Sequence, residues 1–502
     1  MLRLLVKNAG SNVSVMVVKI CFTFIMAPAI VHALGNYDYG LWEIVVSLVG
    51  YMGMLDMGMR PAVTRYVAKY NAVNNRESLE ELFSTAVFFN GAVGVLACTI
   101  LVAWAIFNPE LLAENNTDAR RYVFFLLIIG VQLLFQFPGY IAECFHMGHQ
   151  RHFLNNNITI INTLVGNIIL FYLLTHGYGL LTLALGNCIG ITLKYLIYFG
   201  LLFSKRFGEF RLKRNHVSHD MLKILLLFGG KSFIMGVAGT IGGGISKVVI
   251  GFSLGPAAVP FYTIPARLVT YIGDFTMTVA NVFMPMFSHL QSQGEDEQLK
   301  ELYMVATKYI VGVACPMAIG VSLLGSHFIH RWIGPEYAKD CRYILYFLAG
   351  GAMLYVINPL FSRLMTGTGR VGVLAIIRSV GTFLLLLLTL LLVRPYGNEG
   401  VAFAYLAAYL VVAPYEFQYA ARHLGVKVSQ FVWRVYAPLV LPNVVLFFYV
   451  LFVVDRLQPY TYPMIGLVVL TSIPVYLILF VLFSMSAGEK RYLQRKLKVR
   501  FA

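Results

Sequence analysis

The chain has 502 residues, 59% of them hydrophobic and only 12% charged, with a mean hydropathy of +0.73, whereas soluble domains average roughly 25% charged residues. No soluble core hides that much apolar surface, so the bilayer is the solvent and a soluble enzyme is excluded. The net charge of +16, which on a soluble chain would suggest nucleic acid, is then a matter of loop asymmetry.

Apolar runs of the roughly 20 residues needed to cross a hydrocarbon slab recur along the whole chain. They are continuous and rich in Leu, Val, Ile and Phe, without strand-like alternation, so the spanning elements are helices and a barrel is excluded. The first run follows Arg3 and Lys7 but is too long for a signal peptide and lacks a convincing cleavage site before the next span at Gly40. About fourteen spans are predicted, at 11–34, 40–60, 82–107, 120–146, 157–175, 180–203, 221–252, 259–290, 303–324, 342–364, 372–393, 401–419, 435–454 and 463–485. With the N-terminus inside, about 24 Lys and Arg lie in or beside cytoplasmic segments and about 7 beside the opposite loops, an asymmetry that places both termini in the cytoplasm. The basic stretch from Lys490 to Arg500 is then a juxtamembrane patch facing anionic lipid. The six cysteines have no paired spacing and read as small apolar residues rather than disulfides or metal ligands. GGKS at 229–232 lacks the strand and glycine spacing of a phosphate loop. No metal and no cofactor is expected.

The chain is internally duplicated. Leu34-Gly35 closes the first span and Leu254-Gly255 the seventh, 220 residues on. At the same offset Leu79, Glu81, Leu82 and Ala86 match Leu299, Glu301, Leu302 and Ala306. Six spans per repeat give both copies the same orientation, related by an axis along the membrane normal. The expected architecture is an all-α integral membrane protein: a lobe at 1–210 (spans 1–6), a lobe at 211–420 (spans 7–12), a cavity between them, and two appended helices with a basic tail at 421–502.

The block from Leu34 to Tyr70, LGNYDYGLWEIVVSLVGYMGMLDMGMRPAVTRYVAKY, with its LG…YGLW turn, LDMG ending to the second span and amphipathic TRYVAKY continuation, resembles the polysaccharide (O-antigen type) flippases. Their superfamily also holds the MATE drug exporters and the lipid II flippases. The resemblance is sharpest over residues 1–90, and the two-lobe plan extends it to residue 420. It implies alternating access and, as cargo, undecaprenyl diphosphate carrying a short glycan. The chain departs from the wider superfamily in having no counterpart of a cation site or essential carboxylate pair.

Charges inside a bilayer cost on the order of 2.5–3.5 kcal/mol each and usually face a cavity or a partner. The basic ones are Lys19, Lys194, Lys231, Lys247, Arg267 and Arg378, and the acidic ones Glu43, Asp56, Glu143, Asp274 and Glu416. The basic surplus suits a diphosphate, which Arg can hold bidentately and Lys as a point charge. Lys19, Lys247, Arg267, Lys231 and Arg378 are therefore the candidate substrate-binding residues, weighed against interhelical pairing and snorkelling. Snorkelling is the simpler account of Lys194. Asp274, Asp56, Glu143 and Glu416 are candidates for coupling or gating. Asp56 lies one turn before Arg60, where an ion pair is the simpler account, and Asp274 lies two turns after Arg267 on one helix face. Glu43 reads as hydrated.

The function these features favour is export of a lipid-linked oligosaccharide across a bacterial inner membrane in polysaccharide or lipopolysaccharide biosynthesis. Partners would be the glycan substrate, membrane lipids and polysaccharide-assembly proteins, with no nucleic acid. A MATE-like antiporter of cationic drugs is the alternative, disfavoured by the basic surplus. A membrane glycosyltransferase or polymerase needs a sizeable outer loop, and the longest expected, 325–341, is short.

Overall fold

The computed structural model describes residues 2–107, 116–205, 210–357 and 359–491. The described residues are helical with turns between, and no strand occurs among them. Packing divides the chain into two compact units, Met1–Gly244 and Ile245–Ala502.

In the first unit, α1 runs Leu2–Met52 and is broken at Gly35, whose φ of 73° favours glycine. The break separates two spans with no loop between them. The second span ends in a tight turn at Gly53–Asp56, and Met57 and Gly58 are both left-handed. The span therefore stops short of the expected residue 60. A Cβ on Gly58 would lie 2.2 Å from the Gly229 carbonyl oxygen, so glycine is what lets the two backbones meet at this turn. α2 (Met59–Ala72) buries Met59, Ala62, Val63 and Val67 at helical spacing and exposes Arg65 and Lys69, the amphipathic pattern of a helix lying along a surface. It is followed by α3 (Arg76–Phe107), α4 (Asn116–Gly148), α5 (His152–Thr175) and α6 (Leu180–Phe203). One end of the unit is cored by Phe83, Phe145, Tyr198 and Phe210, the other by Leu41, Phe125, Leu133 and Leu180. α7 (His219–Leu254) crosses the division between the units.

In the second unit, the expected span 259–290 is two helices, α8 (Val259–Ala280) and α9 (Met284–Gln293). α10 (Asp296–Trp332) and α11 (Pro335–Ile357) leave only Ile333 and Gly334 between them. The expected loop at 325–341 is thus mostly helix, and α11 begins seven residues before the span expected at 342. α12 (Phe361–Gly367) leads into α13 (Val371–His423), which is broken at Gly397 with φ 56°. α14 (Val428–Phe431), α15 (Ala437–Leu457) and α16 (Tyr462–Leu479) complete the chain. Beyond α16, both oxygens of Glu489 take Lys308 Nζ at 2.8 Å, tying the end of the chain to a buried lysine of α10. Burial alone would raise the Glu489 carboxyl, but bonds from Lys308 and Ser486 outweigh it and hold it below the ordinary carboxylate range.

Nine helical stretches among the described residues are long and apolar enough to span. The broken α1 and α13 hold two spans each, and α7, α8 and α11 supply the remaining three of about fourteen. The outer faces are apolar: in the most apolar window of α5 only 11% of residues are buried, and Ile161, Ile168 and Phe171 are exposed. Such surface is stable only against lipid. The duplication reaches the backbone, because left-handed residues recur at the same offset: Gly35 and Gly255, Asn74 and Gly294, Gly177 and Gly397. Leu79 and Leu299, the matched leucines, each sit in a buried core.

Candidate functional site

Within the first unit, polar side chains converge inside the membrane span. On α4 the residues Gln132, Gln136 and Tyr140 repeat every four positions and so share one helix face. Asn187 of α6 donates to Gln132 Oε1 at 3.0 Å, Gln132 donates to Gln136 Oε1 at 2.9 Å, and Gln136 donates to the Tyr140 hydroxyl. The Arg60 guanidinium lies over the Tyr140 ring, 3.7 Å from its centroid, a cation–π geometry. Its Nε donates to Asp56 Oδ2 at 2.7 Å while the Gly58 amide donates to Asp56 Oδ1 at 2.9 Å. Gln132, Gln136, Tyr140, Asn187 and Arg60 line a cavity of about 360 Å³ together with the apolar Trp42, Val45 and Val49. A chain of amide donors ending in a braced guanidinium suits a ligand rich in hydroxyl and phosphate oxygens.

Beside it, Lys194 Nζ meets Glu143 Oε2 at 3.0 Å, with both side chains mostly covered. The expectation that Lys194 snorkels is corrected: α4 and α6 pack closely, and a partner within reach is cheaper than a stretch to the interface. Glu43 is corrected too, since it is buried and accepts from the Tyr39 hydroxyl at 3.1 Å. Asp56 is paired with Arg60, one turn on. Lys19 is exposed on α1. Lys231 lies in α7, but its side chain is outside the described residues.

In the second unit a different set gathers. Arg378, on the first half of α13, is in electrostatic reach of Glu416 on the second half, of Tyr355 on α11, and of Arg363 on α12. Tyr355 packs edge-on against Tyr409 at 5.8 Å, and Asp274 of α8 acts on the same tyrosine. Arg378, Glu416 and Asp274, far apart in sequence, thus all act on Tyr355. Arg267 and Lys247 are half-buried on α8 and α7, and each is engaged by neighbours.

Gln132, Gln136, Tyr140, Asn187 and Arg363 are not among the residues expected from sequence. The four-residue spacing on α4 was available as a signal. Arg363 carried none, being placed beside a cytoplasmic loop by its position in the chain.

A family model described as polysaccharide biosynthesis protein matches residues 29–341. A putative O-antigen transporter of Shigella flexneri is 21% identical over 396 residues, covering 76% of this chain and 90% of that one. Among solved structures, the lipid II flippase MurJ in an inward closed conformation aligns with a TM-score of 0.71 at 16% identity, over 94% of this chain and 98% of that one. An inward-facing multidrug resistance MATE transporter of the MOP superfamily aligns with a TM-score of 0.67 at 16% identity, over 80% and 94%. Likeness at such identity establishes the fold, which flippases and drug exporters share.

Proposed function

Because the chain belongs to the polysaccharide biosynthesis protein family, we propose that it is a flippase moving a lipid-linked oligosaccharide, undecaprenyl diphosphate with a short glycan, across a bacterial cytoplasmic membrane. It is a multi-pass transporter and not an enzyme, and it works by alternating access between lobes at 1–210 and 211–420. Both termini are cytoplasmic, and polysaccharide-assembly proteins are its neighbours.

The observation that carries this reading is that three of the five carboxylates expected inside the bilayer are held by neighbours. Asp56 is held by Arg60 and the Gly58 amide, Glu143 by Lys194, and Glu43 by the Tyr39 hydroxyl. An exchanger of cationic drugs needs such acids for its cargo, whereas the cavity groups here are amides, a phenol and a guanidinium. Lys19, Lys247, Arg267, Lys231 and Arg378 are assigned to the diphosphate, and Asp274, Asp56, Glu143 and Glu416 to coupling or gating. Deleting the gene in its host should abolish surface glycan and leave the lipid-linked precursor on the inner leaflet. Unchanged surface glycan and no accumulated precursor would overturn the reading.

A further inference from the structure

A second cavity, of about 460 Å³, lies in the second unit where the end of α10, the start of α11 and the turn between α15 and α16 meet. His327 and His330 enter it from α10, and Lys339 and Arg342 from α11. In each pair the residues stand three apart and so share a helix face. Tyr460 packs on both imidazoles, with ring centroids 5.2 Å from His327 and 4.9 Å from His330. Its own position is fixed by the left-handed turn at Gln458, whose side-chain oxygen accepts from the Tyr460 hydroxyl at 3.3 Å. Nδ1 of His330 is buried and has no hydrogen-bond partner among the described residues. Among the described residues Arg342 donates a hydrogen bond only from Nε, to the Tyr346 hydroxyl at 3.0 Å. The one carboxylate on the rim, Asp455, does not balance the cations.

Phe328, Trp332 and Tyr462 cluster beside this end of α10, and Arg331 lies over the Tyr462 ring. Aromatic belts of this kind mark the headgroup level of a bilayer. The donors therefore stand where phosphates stand. We propose that this pocket binds an anionic phosphate group, a function separate from the intramembrane clusters and contributed in part by the appended helices.

The test uses the full chain in nanodiscs of phosphatidylcholine, with inorganic phosphate replacing chloride at constant ionic strength. The unfolding midpoint should rise saturably with phosphate. A protein carrying Lys339→Gln and Arg342→Gln should need about tenfold more phosphate or more for the same rise, the loss of one or two charge-assisted bonds. Both residues are exposed, so the fold should survive; if the double variant is poorly made, Lys339→Gln alone is used. Discs doped with phosphatidylglycerol identify the source. If they raise the midpoint and abolish the phosphate response, the headgroup of a lipid is the ligand. An undiminished response in them assigns the pocket to soluble or cargo-borne phosphate. No saturable response, or an equal response in wild type and variant as a general salt effect would give, overturns the proposal.

Discussion

Arg267 and the pair of Glu143 with Lys194 separate two uses of a charge in a membrane, holding cargo and holding helices. If Arg267 holds the diphosphate, Arg267→Ala should abolish surface glycan while the protein still inserts at normal levels. The lost contact is worth about 1.5–3 kcal/mol, roughly ten- to a hundredfold in affinity. Arg267→Lys should rescue only in part, because the charge remains and the two-pronged hydrogen bonding does not. A structural pairing with Asp274 instead predicts poor expression of the Ala variant, restored by removing both charges. Normal export by a well-expressed Arg267→Ala protein takes the residue out of the mechanism. For Glu143 and Lys194, 3.0 Å apart and mostly covered, either single substitution, Glu143→Gln or Lys194→Met, strands a charge between α4 and α6. Each should lower stability on the order of 2 kcal/mol, and the double variant should recover most of the loss. Additive losses in a thermal-unfolding cycle would show that the two groups do not depend on each other.

Glycine does two different things along α7, and substitutions tell them apart. At Gly229 a Cβ would meet Met57 and Gly58 backbone oxygens at 2.8 and 2.9 Å, and Gly58 itself has φ +76°. Gly58→Ala should therefore cost about 1–2 kcal/mol for the left-handed backbone and about 1–3 kcal/mol for overpacking, read as a fall in melting temperature. Gly236, Gly239 and Gly243 have nothing among the described residues within 4 Å of the point where an added methyl would sit. Close packing does not explain them, so alanine there should raise helix stability by about 0.5–1 kcal/mol per site. If α7 bends during transport, the same alanines should slow glycan export although the protein is more stable. Export at the wild-type rate would show that these glycines are not a hinge.

For the whole molecule, the property to test is which way it sits in the membrane. From the loop asymmetry of Lys and Arg, 204–220 is expected inside and the α5–α6 turn outside. In a background with the six native cysteines replaced, Tyr178→Cys should react with an impermeant thiol reagent added to intact cells, whereas Asn215→Cys should react only after permeabilisation. Both positions are exposed, so reactivity reports sidedness rather than burial; Asn115, an equivalent outer position, lies outside the described residues. Equal labelling at both sites would reject the orientation.

Much of this protein was legible in the residues because lipid imposes a simple rule: a backbone that cannot bond to solvent must bond to itself. Length, apolar runs and the 220-residue repeat therefore sufficed for an all-helical membrane protein of about fourteen spans, and the resemblance of the Leu34–Tyr70 block pointed to its family of transporters. Gly35 and Gly397 could not be seen as breaks without loops, since hydropathy is blind to a single positive φ. The break after Ala280, at the end of α8, has no positive φ; it was hidden because Val282 and Phe283 in the turn are as apolar as the helices it joins. Only the tertiary structure decided which charges are consumed. Lys194 with Glu143 and Lys308 with Glu489 are 51 and 181 residues apart. An ion pair is a matter of a few ångströms in space, and no local pattern in the chain encodes which distant helix will supply the partner.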